Sequence, residues 1–407
     1  AIELLPTENP KLMNSLNVAL RELAKPPEHN RKARNYFNML GLTLVDITEM
    51  MYVLVFYNTS LDPIFRAELL TVFRLSIDTA QPMSIVQTLF KLSRLPSDFF
   101  LTSTETMNIL ISKSVTIAPS LSPISLTLLY ACLSRLSSRY FVCAAIETVN
   151  KRILRELPFS AFSSHEIVML LESVARIESM RQKLKTIDVQ AHQSIIHSVV
   201  SMFSTETSPE LASRLLIFCS SRVQEYTPSM IAIILNATVI LCEPGSKVQR
   251  DLYASVSSEI CRQKDRFSSM QGKEIAVILS AFESFLHAHN ESLGVICTAI
   301  CKLKYISETQ MAGFLYTFAT LHFRSDEFLR FASAHYDRLE KNGYQPDNVR
   351  KALCSFVKLK HYPPRCLTHF FHCHTQLFDQ ESIEEITEAL SEARMPSSVT
   401  HGSTCLV

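Results

Sequence analysis

ISETQMAGFLYTFATLHFRSDEFLRFASAHYDRL, Ile306 to Leu339, is followed by QPDNVRKALCSFVKLKHYPPRCLTHFFHCHTQLF, Gln345 to Phe378. Each copy has a polar, turn-prone entry, an apolar helical pattern, a short polar break and a second apolar helix. The small residues Thr317 and Ser355 occupy equivalent places 38 positions apart. A fixed period of this size marks stacked helical hairpins, because one hairpin cannot bury its apolar face without a neighbour.

The same pattern extends towards the N-terminus. Aligned on the small residue of each first helix, the register runs Ala131, Ser173, Ala237, Ala281, Thr317, Ser355 and Ser391. The steps are 42, 64, 44, 36, 38 and 36 residues. The long step holds SPELASRLLIFCSSRV, which reads either as half a hairpin or as the start of a shifted repeat. Ser122-Pro123, Ser208-Pro209 and Thr227-Pro228 each place a hydroxyl cap before a proline suited to the first helical position. Ser307 and Gln310 have capping-box spacing. Ile275, Ile278, Leu279, Phe282 and Phe285 recur at helical spacing, and no stretch sustains period-two alternation. The expected fold is all-α, a right-handed α-solenoid of antiparallel helical hairpins repeating about every 36–44 residues. Residues 1–40 read as an irregular and helical lead-in, 41–395 as the solenoid and 396–407 as a disordered tail.

Composition narrows the function. The chain has 407 residues, 47% of them hydrophobic, and a net charge of +1. No global field draws it to nucleic acid or membrane, so any electrostatic site must be a local face. Its 7 glycines lie too far apart for a phosphate loop or a nucleophile elbow. His165-Glu166 opens a zincin-like motif, but Met169 stands where the second histidine belongs. No enzyme, cofactor or small-molecule substrate is expected. The 11 cysteines form no CxxC pair and sit in apolar helices, as reduced thiols of an intracellular protein do. No apolar run is long and unbroken enough to span a membrane. A start at Ala1 fits removal of a targeting segment and fits trimming equally.

ILSAFESF, FLYTFATLHF and ALCSFVKLKHYPPRCLTHFF carry a further signal. They resemble the degenerate helical repeats of organellar RNA-binding proteins, the FAST-kinase-like and RAP-type family with its octotricopeptide and heptatricopeptide relatives. Leu353, Ser355, Phe356, Lys358 and Leu359 fit that pattern, as do Leu315, Thr317, Phe318, Ala319 and Leu321. The likeness covers about 42–395 and is sharpest from Met270. No RAP domain is visible, and tryptophan is absent. The resemblance implies a mitochondrial matrix protein that binds single-stranded or guide RNA beside other subunits of a ribonucleoprotein. RNA editing or processing in kinetoplastid or apicomplexan mitochondria is the implied setting, for instance an RNA-editing substrate-binding complex. A protein-binding scaffold of HEAT type, or a structural subunit or assembly factor of a mitochondrial ribosome, is the alternative.

Candidate RNA-contacting cations cluster at hairpin ends: Arg31, Lys32 and Arg34; Lys151, Arg152 and Arg155; Arg262, Lys264 and Arg266; Lys302 and Lys304; Arg350, Lys351, Lys358 and Lys360. If second helices line one face, several would form a stripe for phosphates, with Tyr305, Tyr344 or Tyr362 for base stacking. The competing reading is a solvated helix end that favours cations in its last turn. Between Gln376 and Pro396 the acids Asp379, Glu381, Glu384, Glu385, Glu388 and Glu392 face only Arg394, as in a polar capping helix. Cys366, His369 and Cys373 share a helix face and form a weak metal candidate, with Cys354 or His361 as further ligands. One rigid helix rarely supplies the four ligands that zinc needs.

Overall fold

The computed structural model describes residues 43–56, 70, 73–94, 104–137, 140, 142–186, 207–339 and 344–394. The irregular and helical lead-in expected over residues 1–40 and the disordered tail expected over 396–407 lie outside them. The described residues are helical with no strand. The chain divides into two compact units, one ending at Leu211 and the other beginning at Ala212.

In the first unit the helices are α1 (Leu44–Phe56), α2 (Pro82–Leu92), α3 (Thr104–Ile117), α4 (Pro123–Leu136), α5 (Cys143–Arg155) and α6 (Ser164–Thr186). α7 (Thr207–Ser221) contains the division. α1 packs on α2, and from there alternate helices pack on one another: α2 on α4 and α4 on α6, with α3 on α5 in the other layer. This every-other-helix pairing is what antiparallel hairpins give when stacked side by side. α6 runs nine residues past Ile177, where the apolar pattern ends. Its extension, ESMRQKLKT, is made largely of good helix formers and carries a Glu178–Arg181 ion pair at 3.4 Å.

The second unit repeats the scheme. Its helices are α8 (Pro228–Leu241), α9 (Lys247–Arg262), α10 (Gly272–Ser284), α11 (Asn290–Cys301), α12 (Glu308–Thr320), α13 (Asp326–Arg338), α14 (Pro346–Lys358), α15 (Arg365–Cys373) and α16 (Gln380–Arg394). First helices stack as α8, α10, α12, α14, α16, and second helices as α9, α11, α13, α15. The all-α hairpin solenoid read from the sequence is therefore the packing found within each unit. The badly phased SPELASRLLIFCSSRV stretch forms one helix, and Ser220 near its end shares a 3.3 Å hydrogen bond with Ser255 of α9.

Local chemistry explains the element ends. Ser122 and Thr227 cap α4 and α8 ahead of Pro123 and Pro228, as expected. Ser208-Pro209 departs from expectation, since its helix already begins at Thr207. Ser307 and Gln310 close a reciprocal capping box on α12, and Gln271 and Glu274 close another on α10.

The small residues of the register hold the first-helix layer close. Ala131, Ser173, Ala237, Ala281, Thr317 and Ser355 are all buried. Ser391 is exposed, on the face of α16 that no described helix covers. In α10, α12 and α14 the residue after the small one supplies bulk: Phe282, Phe318 and Phe356 are fully buried. Phe318 meets Phe328 edge-on at 4.8 Å between centroids, and Phe282 tilts against Tyr253 at 5.6 Å. Polar bonds bridge neighbouring first helices. Thr317 donates to Glu283 at 2.5 Å, Asn348 donates to Glu308 at 3.1 Å, and Arg350 donates to Glu385 at 2.7 Å.

Three first helices end alike. Leu286, His322 and Lys360 adopt left-handed backbone with φ of 50°, 53° and 54°. The next amide N–H then reaches back five residues, from His287 to Phe282 O (2.8 Å), Phe323 to Phe318 O (2.9 Å) and His361 to Phe356 O (2.9 Å). That is a Schellman closure, built without the glycine that usually occupies its left-handed position.

Candidate nucleic-acid interface

The fold sorts the candidate cations by what they already hold. Lys151 pairs with Glu147 at 3.3 Å within α5. Arg152 is largely buried and donates from Nη2 to the Leu121 carbonyl at 2.6 Å, which makes it a brace between α5 and the turn before α4. Arg155 is exposed. Arg262 grips Glu259 through Nε and Nη2 at 2.9 and 2.8 Å, and Arg266 donates to Gln263 at 3.1 Å. Arg350 is spent on Glu385, and this pairing raises its pKa further. Lys351 is half-buried, while Lys358 and Lys360 are exposed near the corner after α14. Arg31, Lys32 and Arg34 lie outside the described residues.

One corner is different. Lys264, Lys302 and Lys304 are exposed, and none makes an ion pair among the described residues. The single turn Lys264–Phe267 packs against α11, whose end carries Lys302 and Lys304. Gly272 at the start of α10 lies beside Leu303, so close that a Cβ there would stand 3.5 Å from Leu303 Cδ1. Exposed Lys273 is therefore next in chain to a residue touching the loop that holds Lys302 and Lys304. The lone lysine of QGKE lies outside the basic runs, and only the fold brings it to them.

The carboxylates nearby are mostly committed inside the fold. Glu274 takes the Gln271 amide at 2.9 Å and the Ser229 hydroxyl. Glu308 takes the Gln345 amide and the Asn348 side chain, each at 3.1 Å, and burial raises its pKa. Glu259 holds Arg262. Asp265 is exposed beside Lys264. The corner thus offers lysine charge that only exposed Asp265 and Glu291 offset locally, in a chain that is nearly neutral overall.

The tyrosines separate too. Tyr305 is 82% exposed and Tyr362 is 59% exposed. Tyr344 is buried, its hydroxyl donating to the Tyr336 carbonyl at 2.9 Å and its ring edge-on to Phe370. It cannot receive a base, which removes it from the three stacking candidates.

The metal candidate does not assemble. Cys373 lies 3.5 Å from His369 Nε2, but Cys366 is engaged with Tyr344 and Asp337. Cys354 is buried, its thiol pushed up to about 12 chiefly by desolvation. His361 stacks on Phe356 and bonds Ser333. Among the described residues no group of three or more His, Cys, Asp or Glu is placed to hold a metal ion. No helix among them is long and apolar enough to cross a membrane. No family model matches the chain, and no curated protein matches it.

Proposed function

We propose that this chain is a non-catalytic helical-repeat protein that binds RNA as a subunit of a mitochondrial ribonucleoprotein for RNA editing or processing. The observation that carries the RNA part is the corner of Lys264, Lys273, Lys302 and Lys304, which form no ion pair among the described residues while Glu259, Glu274 and Glu308 are bonded internally. Phosphates are the natural complement of such a cluster, and lysine serves as a compact point charge for them. The organellar setting, the editing role and the partner subunits come from the repeat resemblance of ILSAFESF and FLYTFATLHF.

The test is filter binding of the full chain to unstructured RNA across salt. Four phosphate contacts predict a log–log slope of about −3, and so a loss of roughly fifty-fold between 50 and 200 mM salt. Absence of binding at low salt overturns the proposal. It would leave a protein-binding scaffold, a reading favoured by the arginines already paired within the fold, Arg262 and Arg350 among them.

A further inference from the structure

We infer that Tyr305 is a base-stacking platform that makes this corner select single-stranded over duplex RNA, an inference that rests on the RNA-binding reading above. Tyr305 is 82% exposed, the most open of the large hydrophobic side chains in the described residues. A free aromatic ring is ordinarily buried, or at least covered by its own neighbours. Here it is presented from a backbone pinned on both sides.

Upstream, the α11 cap is closed by Lys302 N–H to Ala299 O at 3.1 Å and Leu303 N–H to Ile300 O at 3.0 Å. Leu303 then lodges against Gly272. Downstream, Ile306 is buried. The Ser307 amide donates to Gln310 Oε1 at 3.1 Å, and the Gln310 amide donates to Ser307 Oγ at 3.2 Å. Tyr305 is held between these two closures, so little backbone freedom remains to be lost on binding.

The surroundings decide what the ring takes. Lys304 precedes it, Lys302 lies three residues before it, and Lys273 flanks the glycine that touches Leu303. An exposed aromatic next in chain to Lys304 and three residues from Lys302 suits a nucleotide, with phosphate on the cations and base on the ring. Duplex RNA keeps its bases stacked on one another and presents only backbone and groove edges, so the ring gains nothing from it. Every base has a π-face, and the platform is therefore sequence-tolerant.

The chain contains no tryptophan, so Tyr305→Trp places a single tryptophan at the site, whose emission is excited selectively over that of the tyrosines. The probes are unstructured oligouridine RNA and a blunt RNA duplex, titrated into the full-length protein. Quenching of the Tyr305→Trp emission by the single strand and not by the duplex supports the inference. So does a loss of about ten-fold in single-strand affinity for Tyr305→Ala, with Tyr305→Phe close to wild type. Wild-type single-strand affinity in Tyr305→Ala, together with loss in the Lys273/Lys302/Lys304→Ala variant, overturns the platform and leaves the lysine corner standing. Equal losses of Tyr305→Ala on both RNA forms overturn the strand selectivity. Failure of the wild type to bind either form removes the RNA reading, and the platform with it.

Discussion

Ser257 of α9 and His287, in the corner between α10 and α11, share a 2.8 Å hydrogen bond between Oγ and Nε2. The His287 ring also stands edge-on to Phe282 and Tyr253, at 5.1 and 5.3 Å between centroids. Two hairpins later Ser333 and His361 repeat the bond at 3.4 Å, with His361 stacked on Phe356. The left-handed residue before each histidine is what turns the ring back over the helix it has just left.

These histidines make stability depend on mild acid. Burial is the main cause that holds His287, His335 and His361 below the ordinary histidine range, with His289, Arg338 and Arg324 as secondary repulsions and Asp326 opposing at His361. A group whose folded pKa is depressed is protonated first in the unfolded chain. Its stabilising effect is complete above the unfolded value of about 6.5 and is lost as pH falls below it towards the folded value. The urea midpoint is expected to drop between pH 7 and 5.5, above the range where carboxylates titrate. A variant with His287, His335 and His361 changed to Gln should be weaker at pH 7 but flatter with pH, and an unchanged slope would count against this account.

The left-handed corners predict a gain of stability from glycine. A side chain in this backbone region costs about 1–2 kcal/mol, and glycine's extra unfolded-state entropy takes back about 0.5–1. Leu286→Gly is expected to add about 0.5–1 kcal/mol, and Lys360→Gly a similar amount. Thermal unfolding of each variant measures this. A lowered midpoint for both would mean that the corner conformation is not the one described.

Arg350 and Glu385 tie α14 to α16 with side chains 32% and 40% exposed. Partial exposure keeps the coupling small, about 0.5–1 kcal/mol in a double-mutant cycle of Arg350→Met and Glu385→Gln. RNA affinity should hardly change in either variant, because the guanidinium is already occupied. A large affinity loss in Arg350→Met without a stability change would move the binding face to α14.

Much of the fold was legible because the repeat writes itself twice. The small-then-Phe pairs at 281–282, 317–318 and 355–356 land in the core as aligned. The Schellman corners were not legible, since Leu286, His322 and Lys360 carry none of the glycine that announces such a turn. Glu147 before Lys151 and Glu259 before Arg262 already stood at helical pairing distance in the sequence, so those two ion pairs were legible from charge spacing alone. Glu385, thirty-five residues from Arg350, could be found only in the structure. Tyr344 stood among the stacking candidates, but its hydroxyl reaches the Tyr336 carbonyl, a contact only the fold shows. Lys273 comes beside the Lys302–Lys304 loop only through the approach of Gly272 to Leu303, which lie 31 residues apart in the chain.

The salt dependence of RNA affinity, compared between the wild type and the Lys273/Lys302/Lys304→Ala variant, tests the central claim most directly. Three lost phosphate contacts should make the slope shallower by about 2 on single-stranded RNA, with weaker binding at low salt. A variant slope equal to that of the wild type would contradict the account, because the phosphates would then be held somewhere other than this corner.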